Sequence, residues 1–184
     1  MKKFGSVLIV LVFLATSLFA QKGKMQAGGQ VGISIPVGTL SDFANIGFAL
    51  QGNFLYGIHP DIDLTGSLGY VSWGTDADNV SAHSVPLTFG ARYYFQRGQF
   101  SPYGLAELGL HFGGVSVDIP SVSVGGITYG GGSTGGSSTD FGLGLGGGFL
   151  YDLGNFKLDV TAKFNIISDT NNLLIMAGVL FPIQ

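Results

Sequence analysis

The sequence predicts an all-β fold, an eight-stranded antiparallel up-and-down transmembrane β-barrel, on three observations. Apolar and polar residues alternate with period two through one segment after another. Tight, turn-type sequences alternate with longer polar links. Charge is scarce: of 184 residues, 46% are hydrophobic and only 10% charged, with 32 glycines and no cysteine. A soluble domain usually carries about a quarter of its residues as Lys, Arg, Asp and Glu. Much of this surface therefore faces something other than water, and the length suits one domain.

The chain opens with "MKKFGSVLIVLVFLATSLFA". Lys2 and Lys3 precede an apolar run, and Ser17 and Ala20 precede the polar Gln21, the order of a secretory signal peptide. The run is shorter than the ~20 residues a spanning helix needs, which disfavours the alternative of a retained helical anchor. The expected division is a signal peptide over residues 1–20 and a barrel domain over 21–184. Lys2 and Lys3 are two of eight basic side chains, so the barrel keeps six against eleven acidic ones, a net charge of −5. No basic patch remains to hold nucleic acid. Mean hydropathy is +0.43, yet no later apolar run approaches helix-spanning length. Without cysteine, stability has to come from backbone pairing and packing.

Eight segments read as strands, at about 25–36, 47–58, 62–73, 84–96, 101–113, 139–151, 156–167 and 173–183. In the second, Phe48, Leu50, Phe54, Tyr56 and Ile58 share one face and Ala49, Gln51, Asn53 and Leu55 the other. In the third, Ile62, Leu64, Leu68 and Tyr70 oppose Asp63, Thr65, Ser67 and Trp73. In the fourth, Leu87, Phe89, Ala91, Tyr93 and Phe95 oppose Thr88, Gly90, Arg92, Tyr94 and Gln96. The seventh alternates most regularly, with Phe156, Leu158, Val160, Ala162, Phe164 and Ile166 against Lys157, Asp159, Thr161, Lys163 and Asn165. Short links fall at 59–61, 97–100 and 152–155, all rich in turn formers, and longer ones at 37–46, 74–83, 114–138 and 168–172. Short turns alternating with long loops describe a bacterial outer-membrane meander, with the turns on the periplasmic side. The glycine and serine stretch 114–138 reads as a surface loop.

A closed sheet with one apolar and one polar face is either a soluble barrel with a greasy interior or a membrane barrel with a greasy exterior. The polar faces carry Asp63, Arg92, Glu107, Lys157, Asp159 and Lys163, three of each sign, and the apolar faces of these strands carry none. Eight strands enclose a space just wide enough for side chains to fill. Gly, Ser, Thr and a few long charged groups fit it, whereas Leu, Phe and Tyr from every strand would overfill it. The membrane form follows, with those six residues as a lumen ionic cluster that neutralises itself. Arg92 and Glu107 straddle the 97–100 turn and should be diagonal neighbours. Gly142, Gly144, Gly146 and Gly148 form an inward row that leaves room opposite Lys163 and Thr161. Aromatics fall into two belts: Tyr56, Tyr93, Phe95, Tyr151, Phe156 and Phe181 near the short turns, and Phe48, Tyr70, Phe112, Phe141 and Phe164 toward the long links.

"SIPVGTLSDF" at 34–43, "VPLTFGARYYF" at 85–95 and "SPYGLAELGL" at 101–110 resemble the outer membrane protein beta-barrel family, the OmpA- and OmpX-like eight-stranded barrels common in Bacteroidetes-type bacteria. The resemblance implies a cell outer membrane protein, usually without an enzymatic role. Such chains commonly end on an aromatic residue, whereas this one ends Phe181-Pro182-Ile183-Gln184. A barrel with no periplasmic peptidoglycan-binding domain is expected.

Several motifs lose their meaning in context. "GLGLGG" at 142–147 matches a dinucleotide-binding glycine pattern, but no helix pattern follows. "GGSTG" at 131–135 matches a nucleophile elbow inside a glycine-serine stretch. Asn79-Val80-Ser81 is a sequon of little meaning on a bacterial surface. His59, His83 and His111 lack metal-ligand spacing. The expected function is a non-catalytic barrel with a polar, plugged lumen and a structural or surface-interaction role, with no cofactor and no metal. Its expected partners are outer-membrane lipid and, during biogenesis, the barrel-assembly machinery; a monomer is expected. A narrow pore or small-molecule binder is the alternative. A lipid-modifying enzyme is a further one, resting on His83 with Ser81 or Ser84, or on His111 with Ser116 and Asp118.

Overall fold

The computed structural model describes residues 23–42, 44–75, 80–125, 127–168 and 170–183, with side chains left undescribed over 118–124 and 127–131 and at 133. The expected signal peptide and Asn79 of the sequon lie outside these residues. The strands are β1 (Met25–Pro36), β2 (Gly47–His59), β3 (Ile62–Trp73), β4 (Val80–Tyr94), β5 (Phe100–Val124), β6 (Ile127–Asp152), β7 (Lys157–Ile167) and β8 (Asn172–Ile183). Each pairs antiparallel with the next, and β8 returns to β1 through the register Met25↔Ile183 to Pro36↔Asn172, which closes the barrel. Closure leaves the wall without a sheet edge, and this lets strands cross a lipid interior where nothing else can bond their backbones. No helix among the described residues is long and apolar enough to span.

Alternation fixes which way each residue points. Leu68, Leu87, Phe89, Tyr93 and Leu108 are exposed on the outer wall, whereas Thr65, Ser67, Thr88, Arg92 and Glu107 are buried inside. Phe89 is 59% exposed and Arg92 1%, although they lie three residues apart on one strand. Both aromatic belts lie on the outer wall. Neighbouring rings meet within them, as in Tyr93 with Phe95 at 5.7 Å and Phe156 with Phe181 at 6.0 Å between centroids. Tyr56 departs from the expected exposure, being 7% exposed, and the chain at Gly23 lies against its ring. Pro86 has no N–H to donate; the β3–β4 ladder skips it between Leu68↔Leu87 and Val71↔Ser84 without changing register.

The longest departure from the sequence reading is at 114–138. This stretch is not a loop. β5 and β6 run on through it in unbroken register, from Gly113↔Ser138 to Val124↔Ile127, and turn at Gly125, whose φ of 63° suits glycine. Among the described residues the pairing of β4 with β5 ends at Val80↔Val117 and that of β6 with β7 at Gly142↔Ile167, so the hairpin rises beyond the rim with no described strand on either outer edge. Both faces of such a ribbon meet the same surroundings. The sequence therefore has no reason to alternate there, and small residues hide strands that the backbone ladder pairs.

Candidate functional site in the barrel interior

The lumen has three layers. At the short-turn end, Leu55, Tyr94, Tyr103, Leu105, Leu150 and Leu180 form one buried apolar cluster. At the long-loop end, Ala49, Val71, Trp73, Ala82, Leu174 and Met176 form another, closed from above by Leu40 of the short 3-10 helix Gly38–Asp42 and by Ala44. Between them the wall is polar. Inward leucines, a methionine and a tryptophan thus share an interior that the sequence reading reserved for small and charged groups. Glycines make the room: a Cβ at Gly148 would lie 2.7 Å from the Tyr103 hydroxyl, and one at Gly144 would lie 3.2 Å from Lys163 Cδ.

The middle layer is one hydrogen-bonded network. Arg92 Nη1 donates to Asp159 Oδ2 at 2.8 Å, and both side chains are at most 2% exposed. Tyr103 donates its hydroxyl to Asp159 Oδ1 at 2.6 Å and lies under the Arg92 guanidinium, 4.5 Å from its ring centroid. From Thr161, 2.6 Å from that hydroxyl, the chain of contacts passes to Gln30 Nε2 at 2.9 Å and on to Asn53 at 2.9 Å. Asn53 Oδ1 accepts from Gln51 at 2.6 Å and from Ser67 at 2.9 Å. Lys163 Nζ completes the path, donating to Gln51 Oε1 at 3.2 Å and to Glu107 Oε2 at 2.7 Å. Glu107 accepts in addition from Thr88 at 3.2 Å and from Thr65 and Ser67 at 3.4 Å each. Buried charges are tolerable when they are paired and their remaining lone pairs are bonded. Two ion pairs of opposite sense leave this layer with no net charge.

Of the six residues expected in the ionic cluster, Arg92, Glu107, Asp159 and Lys163 belong to this network. Asp63 is buried but lies lower, where Arg97 Nη2 donates to it at 2.6 Å while stacking over the Tyr94 ring at 3.8 Å. Lys157 is not inside. Its side chain is 27% exposed at the β6–β7 turn, 4.0 Å from Asp152. It shares the inward parity of Asp159 but stands one pleat too close to the strand end to be covered. Arg97, which the sequence reading assigned to a turn, reaches Asp63 from the mouth of the barrel with its own side chain 30% exposed; parity cannot show that a turn residue folds back toward the strands. Arg92 and Glu107 are diagonal, through Arg92↔Leu105 and Gly90↔Glu107, but each bonds a different partner.

At the long-loop end, a cleft of about 290 Å³ opens between the rim and the base of the β5–β6 hairpin, lined by Leu40, Trp73, Ile167, His111 and Asp140 among others. Trp73 is held there by its Nε1–H bond to Ser34 Oγ at 3.0 Å. The two serine-histidine groupings considered for catalysis do not assemble: among the described residues no serine hydroxyl bonds either His83 or His111, and the Asp118 side chain is not described. His83 instead stacks on Tyr70, 6.1 Å between centroids. No group of three metal-ligating residues occurs among the described residues.

Comparison with known proteins agrees with this architecture. A family model described as outer membrane protein beta-barrel domain matches residues 6–179. Among solved structures, Neisserial surface protein A superposes with a TM-score of 0.60 at 19% identity, covering 86% of this chain and 97% of its own. Ail, the attachment invasion locus protein of Yersinia pestis, gives 0.57 at 17% identity over 88% of this chain and 97% of its own. A major outer membrane protein from Thermus thermophilus gives 0.64 at 12% identity over 89% and 100%. At these identities the likeness is one of fold. No curated protein matches the sequence.

Proposed function

The chain belongs to the family of outer membrane proteins built on this β-barrel domain, and from that premise we propose that it is a non-catalytic barrel whose lumen is plugged and whose role lies at the cell surface. The observation that carries the plug is the unbroken polar network from Arg92 to Lys163, sealed above and below by apolar clusters. A conducting barrel needs a continuous water path, and here Asp63, Glu107 and Asp159 each already hold a cation from the wall or the turn. The surface role rests on the β5–β6 hairpin, which stands beyond the rim with no strand of the described residues on its outer edges and with mostly small, exposed side chains over 134–139. Outer-membrane lipid against the apolar wall and the assembly machinery during insertion are the partners this reading requires. A monomer suits it, because the closed wall offers no edge within the membrane.

The plug is tested in planar lipid bilayers with the folded, heat-modifiable protein. Insertion without resolvable ion channels is expected. Stable open channels in the wild-type protein, on the scale of a water-filled barrel, would overturn the plugged reading. Arg92→Ala and Lys163→Ala together should raise the frequency of channel events by removing both cations from the network.

A further inference from the structure

The cleft at the outer mouth contains two polar side chains, His111 and Asp140, that are not part of the network deeper in the lumen. His111 is 6% exposed, and among the described residues neither ring nitrogen makes a hydrogen bond. The imidazole lines the cleft with its hydrogen-bonding capacity open to a molecule bound there. Asp140 stands opposite His111 in the β5–β6 register. Among the described residues its only hydrogen bond comes from Ser138 Oγ, at 2.8 Å, and no cation pairs with it. The three carboxylates deeper in the lumen differ: Asp63, Glu107 and Asp159 each have a cation within 2.8 Å. Gly142 is part of the construction, since a Cβ there would lie 2.6 Å from His111 Nε2. The rest of the lining is dominated by hydrocarbon and aromatic surface, including Leu40, Trp73 and Ile167. The volume of about 290 Å³ is near the lower end of small-molecule sites, roughly 300–1,000 Å³.

We propose that the outer mouth of the barrel binds a small apolar amine, its hydrocarbon body against Trp73, Leu40 and Ile167, its ammonium on the Asp140 carboxylate, and His111 as the second hydrogen-bonding group. An apolar body is needed because the walls offer few polar partners. A positive head is needed because Asp140 is the one carboxylate among the described residues that line the cleft, and no Lys or Arg is among them. A carboxylate-bearing ligand would meet that charge as a repulsion. Binding at the mouth and closure of the lumen below it are separate properties, so a conducting barrel and a non-binding mouth would be told apart.

Trp73 is the single tryptophan of the chain and lines the cleft, so its fluorescence reads the site directly. Folded protein in a zwitterionic detergent is titrated with 2-phenylethylamine, 2-phenylethanol and 3-phenylpropionate. The amine should give a saturable change, the alcohol should bind at least ~10-fold more weakly, a step of about 1.4 kcal/mol, and the carboxylate should not saturate. Asp140→Asn should remove the advantage of the amine over the alcohol while leaving the alcohol unchanged, with heat-modifiable migration confirming that the variant is folded. Ala82→Leu, which fills the cleft from its wall, should weaken the amine and the alcohol together. Equal affinity for amine and carboxylate, an unchanged amine affinity in Asp140→Asn, or a linear response to all three probes would each overturn the proposal.

Discussion

The middle of the lumen and the β5–β6 hairpin above the rim are built from the same antiparallel ladder but are held by different forces. In the barrel every strand has two neighbours, and its inward side chains are committed to partners several strands away, as Arg92 is to Asp159 and Lys163 to Gln51. Above the rim, among the described residues, β5 and β6 pair only with each other, from Ile119↔Gly132 to Val124↔Ile127. Removing one lumen side chain strands a buried charge, whereas removing a turn of the hairpin strands nothing. Rigidity thus sits where the burial is, and freedom to meet another molecule sits where the edges are open.

Three measurements of unfolding in lipid vesicles, by urea titration, would break or sharpen that contrast. The largest effect is expected for Asp159→Ala. It leaves Arg92 without its carboxylate and takes from Tyr103 its charged acceptor in a dry layer, a loss of about 3–5 kcal/mol. A loss under about 1 kcal/mol would mean that water reaches the middle of the lumen and that the contrast is false. Next comes Phe89→Arg, which places a charge on the outer wall, at a position 59% exposed, and should cost about 2–4 kcal/mol if that position lies near mid-bilayer. The smallest effect is expected from replacing residues 118–133 with Asn-Gly, which rejoins the paired Val117 and Thr134 through a two-residue turn. Stability should stay within about 0.5 kcal/mol of the wild type. A loss comparable to that of Asp159→Ala would show that the hairpin braces the rim.

Most of the wall is legible in the sequence. The alternation of Leu87, Phe89, Ala91 and Tyr93 with Thr88, Gly90, Arg92 and Tyr94 exists because successive side chains of a strand point to opposite faces, and here one face meets lipid and the other does not. Where that asymmetry is missing, the reading fails. The hairpin over 114–138 has like surroundings on both faces, so its strands read as a loop. β8 is apolar on both faces near its middle, since Leu174, Met176 and Leu180 point inward, and its period-two signal is weak. Lys157 is misplaced by the pattern for a related reason: parity reports direction and is silent about depth. Trp73 falls correctly on the inner face, but nothing local marks it as one wall of a cleft.

The sequence by itself determined the strand count, the two faces and the set of charges that avoids lipid, because these follow from the two-residue period and from the cost of putting a charge in hydrocarbon. Tertiary structure alone decided who meets whom. Arg92 and Asp159 are 67 residues apart and Glu107 and Lys163 are 56 apart, on strands that are not neighbours in the wall. Only closure of the barrel brings such strands face to face across the lumen, so the register that sets each pair, and the cleft left open above His111, are properties of the closed cylinder and of no single strand.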